Sequence, residues 1–385
     1  MEKIEKKLIL TIDDDHDTRA LFKMVLEENN FNVIEAANGT RGIEIFEAES
    51  PDLVLLDLRM PGITGFDVLH HITKISPTTP VIVISATDSI DDVVESLRFG
   101  AWDFILKPMQ TYNIMLHRVN QVLEKSNLKK QNLEYQGLLE DAINKLQNDL
   151  KSGQDIQIKL LPDSTVTFNG YQFNSLILPS LYLSGDFLDY FAINDKYTAF
   201  YIADVSGHGV SSALVTVFLK SFMNKCIDDY KQSNNQTVLD PGKLLQTLNQ
   251  DFLNEHLDKF STLFFGLIDH NDNKLIYCNG GHYPFPVLRQ NEKCIILESK
   301  NTPIGIMPDI AFENISVQLE ENFFLAFFSD GILDILPQDS LDEKINLLNE
   351  LCMSDRETFQ NFISGLKDNS AGLPDDITVL TIEKG

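Results

Sequence analysis

Two sets of carboxylates in this 385-residue chain stand where backbone strands are expected to end or begin. In the first, Asp13 and Asp14 follow the apolar run LILTI, Asp57 follows LVLL, Ser85 closes VIVIS and Lys107 closes FILK. Three carboxylates brought together repel one another unless a divalent cation joins them, and an all-oxygen donor set suits Mg²⁺. With a cation bound, Asp57 can attack a phosphoryl donor, while the Lys107 ammonium and the Ser85 hydroxyl can bind the oxygens of the resulting acyl phosphate. In the second set, Asp204 follows AFYIA, Asp330 follows FFLAFF, Asp186 stands just before an apolar run, and Asp375 and Asp376 stand just before the last one. At a shared edge of an antiparallel sheet these carboxylates would converge and would also need cations. Gly185, Gly207, Gly209 and Gly331 beside them would let backbone approach a metal or phosphate closely. Taken singly, SDG and PDD are also ordinary turn sequences, and Asp186 could serve as a cap.

The hydrophobic pattern predicts the elements that must position these groups. LILTI (8–12), NVIEA (32–36), LVLL (53–56), VIVIS (81–85) and FILK (104–107) read as five strands, and Leu21/Val25 and Phe22/Leu26 pair at i,i+4 on a helix between the first two. This alternation predicts a doubly wound parallel sheet, in which ligands bind outside the carboxyl ends of the strands. From about residue 165 the pattern changes to antiparallel hairpins, DYFAIN-DK-YTAFYIADV and TLFFGLID-HNDN-KLIYCNGG. Between them, Leu214, Phe218 and Phe222 predict a long helix laid on that sheet.

Residues 117–160 connect the two regions and are polar and helix-prone. Leu128, Tyr135, Leu139, Ala142 and Leu146 follow coiled-coil spacing, with Asn132 at a core position and Gly137 weakening the pattern. The segment is expected either to pair in a parallel dimer or to pack as one amphipathic helix on its own domain. Such a marginal element would suit a switch.

IDDD, LLDLRMPG, ISA and LKP, in that order over about residues 5 to 123, resemble the receiver domain of two-component response regulators. The resemblance implies phosphorylation of Asp57 by a histidine kinase and Mg²⁺ held by Asp14, Asp57 and the backbone of Arg59, with Asp13 acting through water. It also implies a cis bond before Pro108, a Ser85 that moves on phosphorylation, and a switch aromatic at Phe104, with Trp102 close by. SGDFLD, ADVSGHG, GGHYPFPV, TPIGI, FSDGI and DDITVL, in order over residues 160 to 383, are similar to the SpoIIE-type branch of the PPM metal-dependent protein serine/threonine phosphatases. DIQIKLLP resembles that family's leading segment.

This second resemblance implies an α/β sandwich of two antiparallel sheets flanked by helices, with two Mn²⁺ or Mg²⁺ ions at one edge. Asp204 would bridge both ions with help from the Val205 carbonyl, Asp186 would complete one site, and Asp330 and Asp375 the other. Asp376 is the alternative to Asp375, and Asp189 a supporting carboxylate. Eukaryotic members place a His directly after the metal-binding pair, whereas here three residues separate Asp204 from His208. The proton donor is therefore left open among His208, His282 and a coordinated water. Two metals suffice to activate water against a phosphate ester, and no covalent protein nucleophile is required.

The expected organisation is a receiver over 1–123, a helical linker over 124–162 and a phosphatase domain over 163–385. A formal charge of −26 disfavours nucleic-acid binding, and no basic helix pair is present, so cations and proteins are the expected partners. Cys226, Cys278, Cys294 and Cys352 are far apart and form no CxxC pair, as in a reducing compartment. The start, MEKIEKKLIL, carries too short an apolar run for a signal peptide, and no stretch reaches ~20 uninterrupted apolar residues, so a cytoplasmic protein without a membrane span is expected.

The family's usual substrate is a phosphorylated anti-sigma-factor antagonist of the STAS type. The rival expectation is a non-enzymatic adaptor, since some receiver-phosphatase fusions have lost their metal ligands. Asp186, Asp204, Asp330 and Asp375 speak for the enzyme.

Overall fold

The computed structural model describes residues 6–86, 90–109, 111–368 and 372–384; the charged start of MEKIEKKLIL lies outside them. Two compact units are formed, Met1–Ile143 and Asn144–Gly385.

In the first unit, β1 (Leu8–Ile12), α1 (His16–Glu28), β2 (Asn32–Ala36), α2 (Gly39–Glu49), β3 (Leu53–Asp57), α3 (Gly65–Ile75), β4 (Val81–Ser85), α4 (Ile90–Arg98) and β5 (Asp103–Leu106) alternate along the chain. The sheet is parallel in the order β2-β1-β3-β4-β5. Its central strands read as continuous apolar runs because both faces are covered. Leu10, Val54, Leu56, Val81 and Val83 pack on one side, and Ile9, Leu53, Leu55, Ile82 and Ile84 on the other. Asp15 caps α1, its carboxylate accepting the Asp17 and Thr18 N–H groups, which sets it apart from Asp13 and Asp14.

Helix α5 (Tyr112–Leu160) is uninterrupted. Met115, Val119 and Val122 pack beneath the parallel sheet, and the Ser126 hydroxyl donates to the Thr78 carbonyl at 3.3 Å. The Lys125 and Lys129 ammonium groups lie 5.7 and 5.5 Å from the Trp102 ring centre. Residues 127–149 are then exposed on every face, including Leu128, Leu133, Tyr135, Leu138, Leu139 and Leu146. The expected alternative of a helix packed on its own domain is thus not how this stretch lies. Gly137 does not break the helix.

The second unit contains β6 (Thr165–Phe168), β7 (Tyr171–Leu178), β8 (Asp186–Ala192), β9 (Tyr197–Val205), α6 (Val210–Ser233), α7 (Pro241–Asn254), β10 (Ser261–Asp269), β11 (Lys274–Gly280), β12 (Val287–Gln290), β13 (Lys293–Ile296), β14 (Ile315–Gln318), β15 (Phe323–Phe328), α8 (Gly331–Ile335), α9 (Leu341–Met353), α10 (Arg356–Asp368) and β16 (Ile377–Lys384). Two antiparallel sheets form, ordered β14-β11-β10-β9-β8 and β13-β12-β15-β16-β7-β6. Leu188, Ile202, Phe264, Phe327 and Leu380 fill the space between them. Phe187, Ala203 and Phe265, one residue out of phase, instead face α6 and α7, and Phe328 and Val379 face the helices on the second sheet. The period-2 alternation of each strand thus builds four layers, helix, sheet, sheet and helix.

One sequence expectation is corrected in part. Phe222 is buried and Phe218 packs half-buried against the core, as expected, but Leu214 is 64% exposed. Ala213, Thr216, Leu219, Met223 and Cys226 complete the inward face. By length and composition α6 could cross a bilayer, but its inward face packs on the first sheet.

Candidate active site

At the carboxyl end of the parallel sheet, Asp13, Asp14 and Asp57 bring one carboxylate oxygen each within 4.8 Å of one another. The Lys107 ammonium donates to Asp13 at 2.7 Å and to Asp57 at 2.9 Å. Burial pushes the Asp13 carboxyl up, against the pull of Lys107. Burial opposes the charge on Lys107 too, yet its two carboxylate partners outweigh that and raise its pKa. The Arg59 N–H donates to Asp57 at 3.1 Å. The Ser85 hydroxyl is fully buried and unpartnered at the end of β4, and Phe104 on β5 packs half-buried against the core. The Lys107–Pro108 peptide is cis, as expected.

The second site is a matter of strand phase. Asp186 opens β8 and faces Asp204 on β9 in register. Asp186 shares its face with Leu188, and Asp204 with Ile202, so both carboxylates point into the gap between the two sheets at its edge. The other sheet brings Asp330, directly after β15, and Asp375 and Asp376, directly before β16, to the same edge. Asp186 is 3% exposed and its Oδ2 has no partner, Asp204 is partly exposed, and Asp330 and Asp375 are open to solvent. The site therefore grades from a buried floor to an accessible rim.

Like charges confined there raise each other's pKa. Burial and the charges of Asp330, Asp375 and Asp376 push Asp204 to about 7. Burial and Asp204 hold Asp186 well above the usual carboxylate range, and burial and Asp375 raise Asp330. Among the described residues the tight grouping of oxygens within 4.8 Å occurs only in the first unit. The unpartnered Asp186 oxygen and the uncompensated acidic neighbours form a donor set that fits hard divalent cations.

Two glycines are required for this assembly. A Cβ at Gly185 would lie 2.9 Å from the Val205 carbonyl oxygen, and one at Gly331 would lie 2.1 Å from the Asp376 carbonyl oxygen. By contrast, a Cβ at Gly209 would meet open space, and only its positive φ calls for glycine.

Three expected residues sit elsewhere in the chemistry. The Asp376 carboxylate is buried and accepts four hydrogen bonds, from the Ser180 N–H and hydroxyl at 2.7 and 2.8 Å, the Ser184 hydroxyl at 3.0 Å and the Gly185 N–H at 2.7 Å. Asp189, three residues after Asp186, falls on the opposite face of β8 and pairs with Lys220 on α6, so it anchors a helix rather than the carboxylate edge. His282 is buried, both ring nitrogens lack partners, and burial lowers its pKa to about 4, which leaves no charged proton donor there. His208 is exposed in the turn before α6. Ser180, Ser184 and Lys220 carried no sequence signal beyond their places beside a motif.

Residues 9–119 match the response regulator receiver domain, and residues 194–384 match stage II sporulation protein E, SpoIIE. The chain is a receiver domain joined to a SpoIIE phosphatase domain. The receiver–SpoIIE chain is similar to the Regulator of RpoS of Escherichia coli, at 27% identity over 275 residues covering 71% of this chain and 81% of that protein. It is similar to protein IcfG of Synechocystis at 32% identity over 216 residues, 51% of this chain and 34% of that one. The SiaA-PP2C domain of Pseudomonas aeruginosa shares the fold of the SpoIIE unit, with a TM-score of 0.52 at 20% identity over 63% of this chain and 98% of that chain.

The SpoIIE site carries a pH signature. Asp204 titrates near 7 when folded and about 3.9 when unfolded, so the folded state binds the extra proton between those values. The Asp204 carboxyl is therefore expected to cost the metal-free protein stability as pH rises from about 4 to above 7, while metal affinity rises over the same range as protons are displaced. Thermal melts in chelator at pH 5 and pH 8, wild type against Asp204→Asn, check this; a difference between the two that does not grow with pH would contradict it.

Proposed function

We propose that this response regulator removes phosphate from phosphoserine or phosphothreonine on a partner protein, under control of Asp57 phosphorylation by a histidine kinase. The observation that carries the reading is the in-register pair Asp186 and Asp204 facing the gap between the sheets, with Asp330 and Asp375 arriving from the other sheet. Asp204, with the Val205 carbonyl, Asp186, Asp330 and Asp375 would be the residues to hold divalent cations such as Mn²⁺ or Mg²⁺, Asp204 being the carboxylate shared between them. Asp376 is the structural neighbour, because its oxygens are already committed to Ser180, Ser184 and Gly185. Divalent cations there would supply Lewis-acid neutralisation of the phosphate oxygens for hydrolysis by water. Asp330 and Asp375 keep the rim open to a phosphorylated side chain, and exposed His208, in the turn after β9, is one candidate proton donor beside a coordinated water.

In the receiver, Asp13, Asp14, Asp57 and the Arg59 backbone would hold Mg²⁺. Ser85 and Lys107 bind the phosphoryl oxygens, and Phe104 follows Ser85. The substrate is an anti-sigma-factor antagonist of the STAS type, as the SpoIIE resemblance implies. Release of phosphate from a phosphoserine protein, requiring Mn²⁺ and abolished by chelator, tests the reading; a metal-loaded protein that releases none would make it an adaptor.

Linker residues 124–162 join the receiver (1–123) to the phosphatase (163–385), and their exposed stretch 127–149 pairs in a homodimer. The exposed Leu128, Tyr135, Leu139 and Leu146 support this, since a polar helix with one apolar seam buries it against a second copy. Leu139→Glu with Leu146→Glu should give a monomer by light scattering. A persistent dimer would move the interface elsewhere.

A further inference from the structure

We propose that Lys259 is a positioning residue for the SpoIIE carboxylate site, holding the turn that carries the chain from Asp204 and Val205 into α6. Its consequence rests on the hydrolase reading, its existence on geometry alone. β9 ends at Val205 and β10 begins at Ser261, its register partner, so the ladder gives out just where the site needs a fixed backbone. Loop groups continue it. The Ser206 N–H donates to the Phe260 carbonyl at 2.9 Å, the Phe260 N–H donates to the Ser206 hydroxyl at 3.1 Å, and the Ser261 hydroxyl donates to the Asp204 carbonyl at 3.0 Å. The half-buried Lys259 completes the set, its ammonium donating to the Ser206 carbonyl at 2.8 Å.

That carbonyl also accepts the Ser212 hydroxyl at 3.1 Å, but the Ser212 tie stays within the turn and its own helix. Lys259 ties the same oxygen to the approach of β10, and a charged donor makes the stronger bond. Gly207 records the contact. Its φ is 77°, and a Cβ there would stand 2.9 Å from the Lys259 Nζ, so the ammonium occupies the space a side chain would need. On the other side of the turn, the Gly207 carbonyl oxygen lies 3.1 Å from where a Cβ at Gly185 would stand, next to Asp186. The turn is thus gripped between Lys259 and the start of β8. Releasing the Lys259 side lets the Val205 carbonyl and the backbone of Asp204 shift against Asp186.

The test is Mn²⁺ binding by titration calorimetry on the full chain, read from the part of the isotherm that Asp204→Ala removes, with hydrolysis of a generic phosphoester measured against Mn²⁺ concentration. Lys259→Met should weaken that binding by about tenfold or more, and excess Mn²⁺ should restore most of the kcat, as expected for a residue that orients ligands without touching the substrate. Lys259→Arg, which keeps a charged donor, should recover most of the affinity. The direction is decisive, because loss of a positive charge near a carboxylate site would by Coulomb attraction alone tighten cation binding. Gly207→Ala should cost less affinity in Lys259→Met than in wild type, since the ammonium it displaces is already gone. Affinity in Lys259→Met that is within about twofold of wild type or tighter, or a Gly207→Ala loss that is equal in both backgrounds, would overturn the proposal. If Lys259→Met does not fold, Lys259→Gln, too short to reach as the lysine does, is judged by the same limits. A wild type that binds Mn²⁺ but hydrolyses no phosphoester removes the hydrolase reading, while the calorimetric comparison still decides the role of Lys259. A wild type that binds no Mn²⁺ overturns both.

Discussion

Asp204→Ala is expected to lower Mn²⁺-dependent phosphoester hydrolysis by ~10³-fold or more, about 4 kcal/mol of transition-state stabilisation, because no neighbouring carboxylate can take its place. Asp186 is its register partner and lies on the buried floor, while Asp330 and Asp375 belong to the opposite sheet. The same residue carries an opposite expectation for stability. Burial and the charges of Asp330, Asp375 and Asp376 push its pKa to about 7, so at pH 8 its ionisation works against folding in the absence of metal. Asp204→Asn should therefore raise the metal-free melting temperature at pH 8, by roughly 2–4 °C for each kcal/mol of relief in a domain of this size. Mn²⁺ should raise the wild-type midpoint and leave that of the variant nearly unchanged, since only a ligand that binds the folded state shifts it. Equal hydrolysis in wild type and Asp204→Ala would sink the enzymatic reading; a less stable metal-free Asp204→Asn would sink the account of the charge repulsion.

Asp57→Ala is expected to abolish phosphate incorporation from a small acyl-phosphate donor and, with it, the whole response of the phosphatase to that donor. Some basal hydrolysis should remain. The physical ground is that Asp57 is the carboxylate at the end of β3 that shares Lys107 with Asp13 and takes the Arg59 N–H. Lys107 keeps Asp13 when Asp57 is removed, so the receiver core, which rests on Leu10, Val54, Leu56 and Val83, is not endangered. Radiolabel incorporation and hydrolysis with and without the donor decide the matter. An unchanged response would place control of the output outside the receiver.

How much of this was legible in the chain depends on the range over which each property is set. The five parallel strands and the two hairpins, β8–β9 and β10–β11, follow from local alternation and length, and lie where the sequence places them. The face of α6 followed only in part. Phe222 is buried and Phe218 half-buried, but Leu214 is exposed, and the inward face runs instead through Ala213, Thr216 and Leu219. Asp189 failed for a related reason. Its spacing after Asp186 looks like part of one motif, yet an odd step along a strand turns it to the other face, where Lys220 neutralises it.

By itself the sequence determined which residues are acidic at strand ends and in what order they come, and its motifs resemble those of receiver and SpoIIE-type domains. Spacing within a strand or a turn is a local property, and motifs record it directly. The tertiary structure alone decided which neighbouring carboxylate keeps an exposed oxygen: among the described residues, Asp375 accepts only the Asp376 N–H. Asp375 and Asp376 are adjacent and chemically identical, but Ser180, Ser184 and Gly185, nearly two hundred residues away in the chain, take up the oxygens of Asp376 and leave Asp375 at the open rim. It also brought Gln157, in a helix with no motif of its own, to the backbone of Ser184. Hydrogen-bond satisfaction of buried groups is settled only when distant segments pack, so no local pattern announces it.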